Sequence, residues 1–129
     1  MPEGFRAASL SIAREADILF VALVGAVAPE EPYLMFQHKD EYDDQDVRLG
    51  MNQPYVEYCG QGWSWYGHML SVELFRDRLC IRMDDTAAAR MKTDGRIEVA
   101  FDLDDGRFDD LRSALSETFR DRDYYRDRS

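Results

Sequence analysis

The stretch IEVAFDLDDGRFDDLRSALSETF, residues 97–119, decides the fold, because the spacing of its apolar residues changes from that of a strand to that of a helix. Ile97, Val99 and Phe101 alternate along the first part, as in a half-buried strand. After the candidate helix caps Asp104 and Asp105, apolar residues recur three or four positions apart. These residues are Phe108, Leu111, Leu115 and Phe119. The pattern predicts a helix that lays its apolar side on a sheet.

Six further segments have the alternation or the apolar content of strands. They are residues 5–13, 18–27, 33–38, 55–59, 63–75 and 79–83, with a kink or bulge expected at Gly67. A short helix is predicted over residues 86–92, capped by Asp84 or Asp85 and ended by Gly95. The predicted fold class is α+β: a curved antiparallel sheet of about seven strands, one short helix and a C-terminal amphipathic helix packed on the sheet. Residues 1–129 are expected to form one domain, in which residues 121–129 extend the helix or fray.

The chain is acidic, with 26 Asp and Glu against 16 Lys and Arg among its 129 residues and a formal net charge of −10. Such a surface repels nucleic acid and anionic membranes and attracts basic proteins, so we expect a protein partner, no nucleic acid and no membrane. The longest apolar stretch, residues 18–28, has 11 residues, whereas a membrane-spanning helix needs roughly 20. Because the N-terminal residues lack the pattern of a signal peptide, we expect a cytoplasmic protein.

Cys59 and Cys80 are the two cysteines of the chain, and their spacing does not match a metal site. We expect two buried free thiols, since unpaired cysteines are commonly buried and disulfides are rare in the cytoplasm. A disulfide between them stays an open alternative.

The acidic run DEYDDQD, residues 40–46, is the most unusual local feature. Its five carboxylates repel one another and favour an exposed loop over a helix or a strand. Two interpretations stay open: a solvated loop without further role, or a negative surface that faces basic residues of a partner. A calcium loop is not supported, because the run contains no glycine and no closing glutamate follows it.

The segment WSWYGH, residues 63–68, concentrates aromatic side chains beside glycines. Trp and Tyr are enriched at binding surfaces because they offer a large contact area for little lost conformational freedom. We expect at least one of Trp63 and Trp65 to fill the core and the other to face outward.

No set of residues predicts catalysis, a metal ion or a cofactor. His38 and His68 lack an acidic residue at a fixed short spacing, which makes them weak candidates for metal ligands. A nucleophilic pair of Cys59 with either histidine is one alternative, although the spacing does not demand it. Another alternative is a small-ligand site on the concave face of the sheet. Its lining would be Trp63, Tyr66 and Phe75.

Four short motifs follow one another in an order that is hard to produce by chance: YLMFQ at residues 33–37, DDQD at 43–46, LG at 49–50 and YG at 66–67. Together they resemble the immunity protein 10 family of bacterial polymorphic toxin systems. In that family, such motifs precede a strand pair, an Ala-rich helix, and a strand of the form I-x-x-x-F-D-L before an amphipathic helix. The corresponding residues here run from Tyr33 to Phe119, and the N-terminal strands fit too, so the resemblance covers nearly the whole chain. His68 departs from the family pattern, which usually has a second glycine at this position.

The resemblance implies an antitoxin without catalytic residues, which binds a cognate toxin domain in the producing cell and blocks it. Together with the net charge of −10, it predicts an acidic surface that covers a basic face of the toxin, and a nuclease with a basic cleft would fit. A homodimer is a further possibility if the strand at residues 33–38 lies at an edge of the sheet. The predicted partner-binding residues are Tyr42, Asp43, Asp44, Asp46, Trp63, Trp65 and Tyr66.

Overall fold

Residues 3–25, 32–39, 54–59, 64–91, 95–120 and 122–129 are described by a computed structural model, and they form nine strands and two helices. The strands are β1 (Glu3–Glu15), β2 (Ile18–Gly25), β3 (Tyr33–Lys39), β4 (Tyr55–Tyr58), β5 (Ser64–Tyr66), β6 (Met69–Leu74), β7 (Arg78–Met83), β8 (Arg96–Ala100) and β9 (Tyr125–Asp127). The helices are α1 (Asp85–Met91) and α2 (Asp105–Thr118). The predicted α+β class is confirmed, with nine strands where the sequence suggested about seven.

All nine strands belong to one sheet, in the order β5-β4-β3-β2-β1-β8-β7-β6-β9. The long strand β1 takes part in both halves of this sheet: residues 3–6 pair in parallel with β8, and residues 7–15 pair antiparallel with β2. The pair β6–β9 is also parallel. The sheet is therefore mostly antiparallel, as predicted, with two parallel pairs that the sequence pattern did not indicate.

The sheet curls so strongly that strands far apart in its order come together. Strands β5 and β6 lie near opposite ends of the order, yet only Gly67 and His68 separate them in sequence, and a link of this length spans at most roughly 11 Å. Both residues have left-handed backbone, with φ of 72° and 62°. Inside the curl, the ring of Phe119 contacts Phe36 of β3 and Tyr125 of β9, with centroids 5.3 Å apart in each pair. The predicted kink at Gly67 is thus a complete break between two strands.

A bulge in β1 moves its N-terminal residues to the inner face. Strict alternation predicts that Phe5 and Ala7 lie on the face opposite Leu10. The register with β2 shifts between Ala7 and Ser9, so that Phe5, Ala7 and Leu10 all pack against the same core. One extra residue in a strand is enough to reverse the faces.

A second bulge, in β6, exposes a leucine. Strict alternation predicts that Leu70 shares a face with Val72 and Leu74, both of which are buried. The register with β7 shifts between Met69 and Ser71, and Leu70 is 57% exposed. The expectation from alternation that Leu70 faces the same way as Val72 and Leu74 is therefore wrong.

Both helices begin at the predicted caps. The carboxylate of Asp104 accepts a hydrogen bond from the backbone N–H of Arg107 at 2.7 Å, and that of Asp84 accepts one from Ala87 at 3.0 Å. The predicted apolar stripe of α2 is buried on the concave side of the sheet. It consists of Phe108, Leu111, Leu115 and Phe119. In the part of the chain that the structure describes, no helix is long and apolar enough to cross a membrane.

The C-terminal residues form a strand, in contrast to the prediction that residues 121–129 extend the helix or fray. β9 pairs with β6, and the backbone N–H of Arg128 donates to the carbonyl of Leu74 at 2.8 Å. The rings of Tyr124 and Tyr125 both pack against Phe119. For residues 122–129 the prediction is wrong, because the two tyrosines supply apolar area that is buried only when the tail docks on the core.

The strand at residues 33–38 does not lie at an edge of the sheet. It belongs to β3, which pairs with β2 on one side and with β4 on the other, and the two outermost strands are β5 and β9. A homodimer built by pairing β3 across an edge is therefore excluded by the topology, since the backbone groups of β3 are already used within the sheet.

Candidate partner-binding surface

The residues that the sequence assigns to partner binding divide into two groups. Trp65 and Tyr66 lie in β5, where their backbone pairs with Val56 and Tyr55 of β4. The other five lie outside the described residues: Tyr42, Asp43, Asp44, Asp46 and Trp63. The assignment of all seven to the binding surface stays a prediction, and the described residues give the positions at which their segments join the sheet.

The acidic segment, residues 40–53, joins the sheet at the end that carries the β1–β2 turn. Lys39 ends β3 and pairs with the first residue of β2, directly after this turn. Pro54, the first described residue after the segment, accepts a hydrogen bond from the backbone N–H of Gly67 at 3.2 Å. Glu15 and Asp17 of the turn region are exposed. Both attachment points of the acidic segment therefore lie at an end of the sheet where further carboxylates face solvent.

His68 connects this end of the sheet to α1. Its Nδ1 lies 2.7 Å from Oδ2 of Asp84, and its carbonyl accepts a hydrogen bond from the backbone N–H of Asp84 at 2.9 Å. The hydrogen bond from the backbone of Ala87, assisted by the contact with His68, holds the pKa of Asp84 below its usual value. The φ of 62° at His68 is in the left-handed region that glycine adopts most readily. The position thus keeps a glycine-like backbone although it carries a histidine.

A buried carboxylate on the outer face of the sheet, the face opposite α2, was missed by the sequence analysis. Glu57 of β4 is 9% exposed. Its Oε1 accepts a hydrogen bond from the hydroxyl of Tyr55 at 2.8 Å, and its Oε2 accepts one from the hydroxyl of Tyr33 in β3. Burial, followed by the hydrogen bond to Glu57, raises the pKa of Tyr33 to about 12. We call Tyr33, Tyr55 and Glu57 the Glu57 cluster.

The sequence contains one signal for this cluster, which is the strand YVEY at residues 55–58. A glutamate at the centre of a short apolar strand is typical of a residue that points to solvent, because charged side chains are seldom buried. The partner that makes burial tolerable, Tyr33, lies 24 positions away. Local pattern alone therefore could not distinguish a buried Glu57 from an exposed one.

Half-buried side chains surround the Glu57 cluster on the outer face. The β2–β3 register places Ala22 opposite Met35 and Phe20 opposite Gln37, and Met35 lies in turn opposite Glu57. Ala22, Phe20 and Met35 provide apolar area beside Glu57, and the polar residues Gln37 and Lys39 follow toward the end of β3 on the same face. Met and Tyr are enriched at protein interfaces, where charged residues are depleted from the centre. The outer face of β2–β4 therefore has the composition of a protein-binding surface.

The alternative of a Cys59 nucleophile is not supported by the geometry. Cys59 follows β4 at the end where its backbone N–H donates to the carbonyl of Tyr33 at 2.9 Å. His68 lies beyond β5 at the opposite end of the β4–β5 hairpin, and His38 pairs with β2 near that same opposite end. Cys59 and Cys80 are both free thiols, as predicted. Cys59 is exposed and Cys80 is half-buried, so the prediction of two buried thiols is wrong; Cys59 lies just past the end of β4.

The alternative of a small-ligand site on the concave face also lacks support, because α2 and the core side chains fill that face. An open cleft of about 390 Å³ lies between α2 and the strands β1 and β2, with Arg14, Arg107 and Glu117 among its lining residues. Charged walls of this kind differ from the mostly apolar pockets that bury small ligands. Phe75 instead packs under Arg78, whose guanidinium carbon lies 4.2 Å from the ring centroid. Among the described residues, no group of three or more His, Cys, Asp or Glu is placed to hold a metal ion.

Comparison with known families decides the class of the protein. The family model described as Immunity protein 10 matches residues 5–109. The chain belongs to the immunity protein 10 family. No match was found among the curated proteins or among the solved structures. The motifs that carry the resemblance in the sequence thus led to the right family.

Family membership implies an immunity protein, a class whose members bind a cognate toxin, and it points away from an enzyme. The matched residues include the acidic segment, the Glu57 cluster and His68, and they end within α2. β9 lies beyond the match. The features of the candidate surface all fall within the part of the immunity protein that the family model covers.

Proposed function

We propose that this immunity protein neutralises its toxin by occlusion, in the cytoplasm of the cell that produces both. An acidic surface bearing aromatic residues would cover the basic, substrate-binding face of the toxin. The observation that carries the proposal is the concentration of charge in residues 40–46, which hold five carboxylates and no basic residue. This run begins directly after Lys39, at the end of the sheet where Glu15 and Asp17 are exposed.

Charge and aromatic area would have separate roles in this interface. Clustered carboxylates attract a basic partner over a distance of the order of 10 Å, which raises the association rate more than the affinity. The carboxylates in question are Asp43, Asp44 and Asp46. Buried aromatic residues at the centre of an interface supply most of the affinity. The aromatic anchors would be Tyr42 and one of Trp63, Trp65 and Tyr66.

A nuclease is the toxin class that suits this surface best. Nucleases bind the phosphate backbone through clustered Lys and Arg side chains, and these attract an acidic protein for the same electrostatic reason. A chain of net charge −10 that lies over such a cleft would exclude the nucleic acid. The proposal therefore predicts competition between the immunity protein and the nucleic-acid substrate.

The first experiment identifies the partner. The tagged chain is used to capture proteins from the source cells at low salt, and each captured protein is then expressed alone and together with the chain. A captured protein that arrests growth alone, and no longer does so in the presence of the chain, establishes neutralisation. Failure of every captured protein to arrest growth would contradict the proposed function.

The second experiment tests the electrostatic part. Replacing Asp43, Asp44 and Asp46 by asparagine should slow association with the toxin by about tenfold or more and flatten its salt dependence. The matched control removes three exposed carboxylates elsewhere. These are Asp102, Asp109 and Asp123. If both triple variants change the association rate equally, the effect belongs to net charge, and the acidic run has no special role.

A further inference from the structure

Glu57, which is 9% exposed, is the single charged side chain among the buried residues of the described part of the chain. Its carboxylate is held by the neutral hydroxyls of Tyr33 and Tyr55, and within the described residues no basic side chain forms an ion pair with it. Burying a charge is costly unless a counter-charge or sufficient hydrogen bonds accompany it. The two hydroxyls compensate part of this cost, and none of the described basic side chains supplies an opposite charge.

The hydrogen-bonding capacity of the carboxylate is only partly used. A carboxylate offers about four acceptor positions, two on each oxygen. Tyr33 occupies one position on Oε2, and Tyr55 occupies one on Oε1. Counting the contacts of the described residues, one position remains on each oxygen, and a planar guanidinium can fill both with two parallel N–H donors. A compact lysine ammonium does not have this matching fork of donors.

The surroundings of Glu57 would strengthen such a pair. Met35 lies directly opposite Glu57 in the β3–β4 ladder, and Ala22 lies opposite Met35 in the β2–β3 ladder. When a partner covers this half-buried apolar area, water is excluded and charge–charge attraction is screened less. Tyr33 and Tyr55 meanwhile hold the carboxylate in one orientation, so little further ordering is needed on binding.

We propose that the Glu57 cluster receives the guanidinium of an arginine side chain of the toxin, at the centre of the interface. The inference rests on the proposed function and names the chemistry of its central contact. A basic partner is expected from the net charge of −10, and the outer face of β2–β4 supplies apolar area around the one buried carboxylate. The acidic run would then speed association with the toxin, and Glu57 would slow its dissociation.

A small arginine derivative tests the receptor without the toxin. The probe is N-acetyl-arginine methylamide, and its citrulline counterpart has nearly the same shape without the charge. Addition of the arginine probe should cause saturable shifts in the NMR signals of Tyr33 and Tyr55 at millimolar concentrations, and the citrulline compound should not. The shifts should disappear in Glu57→Gln and persist in Glu73→Gln, a control that neutralises a carboxylate on β6. Lack of a saturable shift up to roughly 100 mM would overturn the proposal.

Measurements with the toxin test the role in the complex. Glu57→Gln should raise the dissociation rate by about 30-fold or more and leave the association rate nearly unchanged, because a buried charge pair acts on dissociation. The triple asparagine variant of the acidic run should show the opposite pattern. If a folded Glu57→Gln variant dissociates as the wild type does, the proposal fails, and a lowered melting temperature in that variant would leave the cluster with the structural role of linking β3 to β4.

Two further variants keep the proposal testable if Glu57→Gln is unstable. Tyr33→Phe and Tyr55→Phe each remove one hydroxyl and retain both the carboxylate and the ring. Each should raise the dissociation rate by about threefold to tenfold, since the carboxylate is less well oriented. If both variants fold and dissociate as the wild type does, the proposal fails. A chain that neutralises the toxin but shows none of these effects would refute the arginine receptor and leave the proposed function intact.

Discussion

Replacing Phe119 by alanine should destabilise the whole fold, because this side chain joins the two halves of the curled sheet. Phe119 is 2% exposed. Its ring contacts Phe36 of β3 at a centroid distance of 5.3 Å, Tyr124 at 5.9 Å and Tyr125 of β9 at 5.3 Å. The substitution therefore leaves a cavity between two strands that the sheet order places far apart.

The expected magnitude follows from burial and ring contacts. Truncating a buried Phe to Ala costs about 3–5 kcal/mol through lost burial and the remaining cavity. Contacts between aromatic rings add about 0.5–1.5 kcal/mol each beyond the buried area, so a loss near the upper end, about 4–5 kcal/mol, is expected. Domains of this size are stable by about 5–15 kcal/mol, so the substitution removes a large part of the free energy of unfolding. A loss of this size should lower the melting temperature by about 15 °C.

Urea unfolding followed by circular dichroism measures this loss, and limited proteolysis shows whether the C-terminal strand has become detached. The matched control is Leu70→Ala, which truncates an apolar side chain that is 57% exposed and should cost less than about 0.5 kcal/mol. A loss below about 1 kcal/mol in Phe119→Ala would refute the conclusion that α2, β3 and β9 share one core.

Three further predictions concern single positions. Gly4→Ala would place a methyl group 1.9 Å from the carbonyl oxygen of Glu98, so the parallel β1–β8 pairing must open, and chemical denaturation should show a loss of about 2–3 kcal/mol or more. Asp84→Ala removes the cap of α1 and should cost about 1 kcal/mol, whereas Asp84→Asn keeps a capping oxygen and should cost less. Because the pKa of Asp84 is lowered in the fold, its contribution is present above the ordinary value of 3.8 and lost as the pH falls below it, so Asp84→Asn should show a weaker loss of stability in acid. For Tyr33, whose pKa is raised, the pH dependence runs in the opposite direction. The contribution of its hydroxyl to the free energy of unfolding is complete below the ordinary pKa of 10.0 and is lost as the pH rises toward about 12. Unfolding free energies compared at about pH 9 and about pH 11.5 should therefore differ less in Tyr33→Phe than in the wild type.

The elements that the sequence predicts well are those determined by neighbouring residues. The cap at Asp104 and the stripe of α2 follow from contacts three or four residues apart. The buried positions Leu79, Ile81 and Met83 of β7 follow from simple alternation. In such segments the local pattern and the final burial agree, because no bulge or distant partner intervenes.

The elements that the sequence predicts poorly depend on distant partners. β9 forms only because β6, some fifty residues earlier, offers it an edge. Leu70 is exposed because a bulge, which has no distinct signature in the apolar pattern, shifts its strand by one residue. The acidic run could be recognised as a candidate site from charge alone. The burial of Glu57 could not, since it depends on the hydroxyl of Tyr33 from another strand.

Because β1 serves both halves of the sheet, its two parts should acquire structure at different times. Residues 9–15 pair with β2 across a tight turn. Residues 3–6 pair with β8, which lies more than 90 positions later in the chain. Closing the shorter loop costs much less entropy, so the hairpin should form first. Pulsed hydrogen exchange during refolding should protect residues 9–15 before residues 3–6, and simultaneous protection would contradict this order. Until β8 has been synthesised and paired, residues 3–6 of a nascent chain present an unpaired strand edge. Self-association during synthesis would begin at this edge.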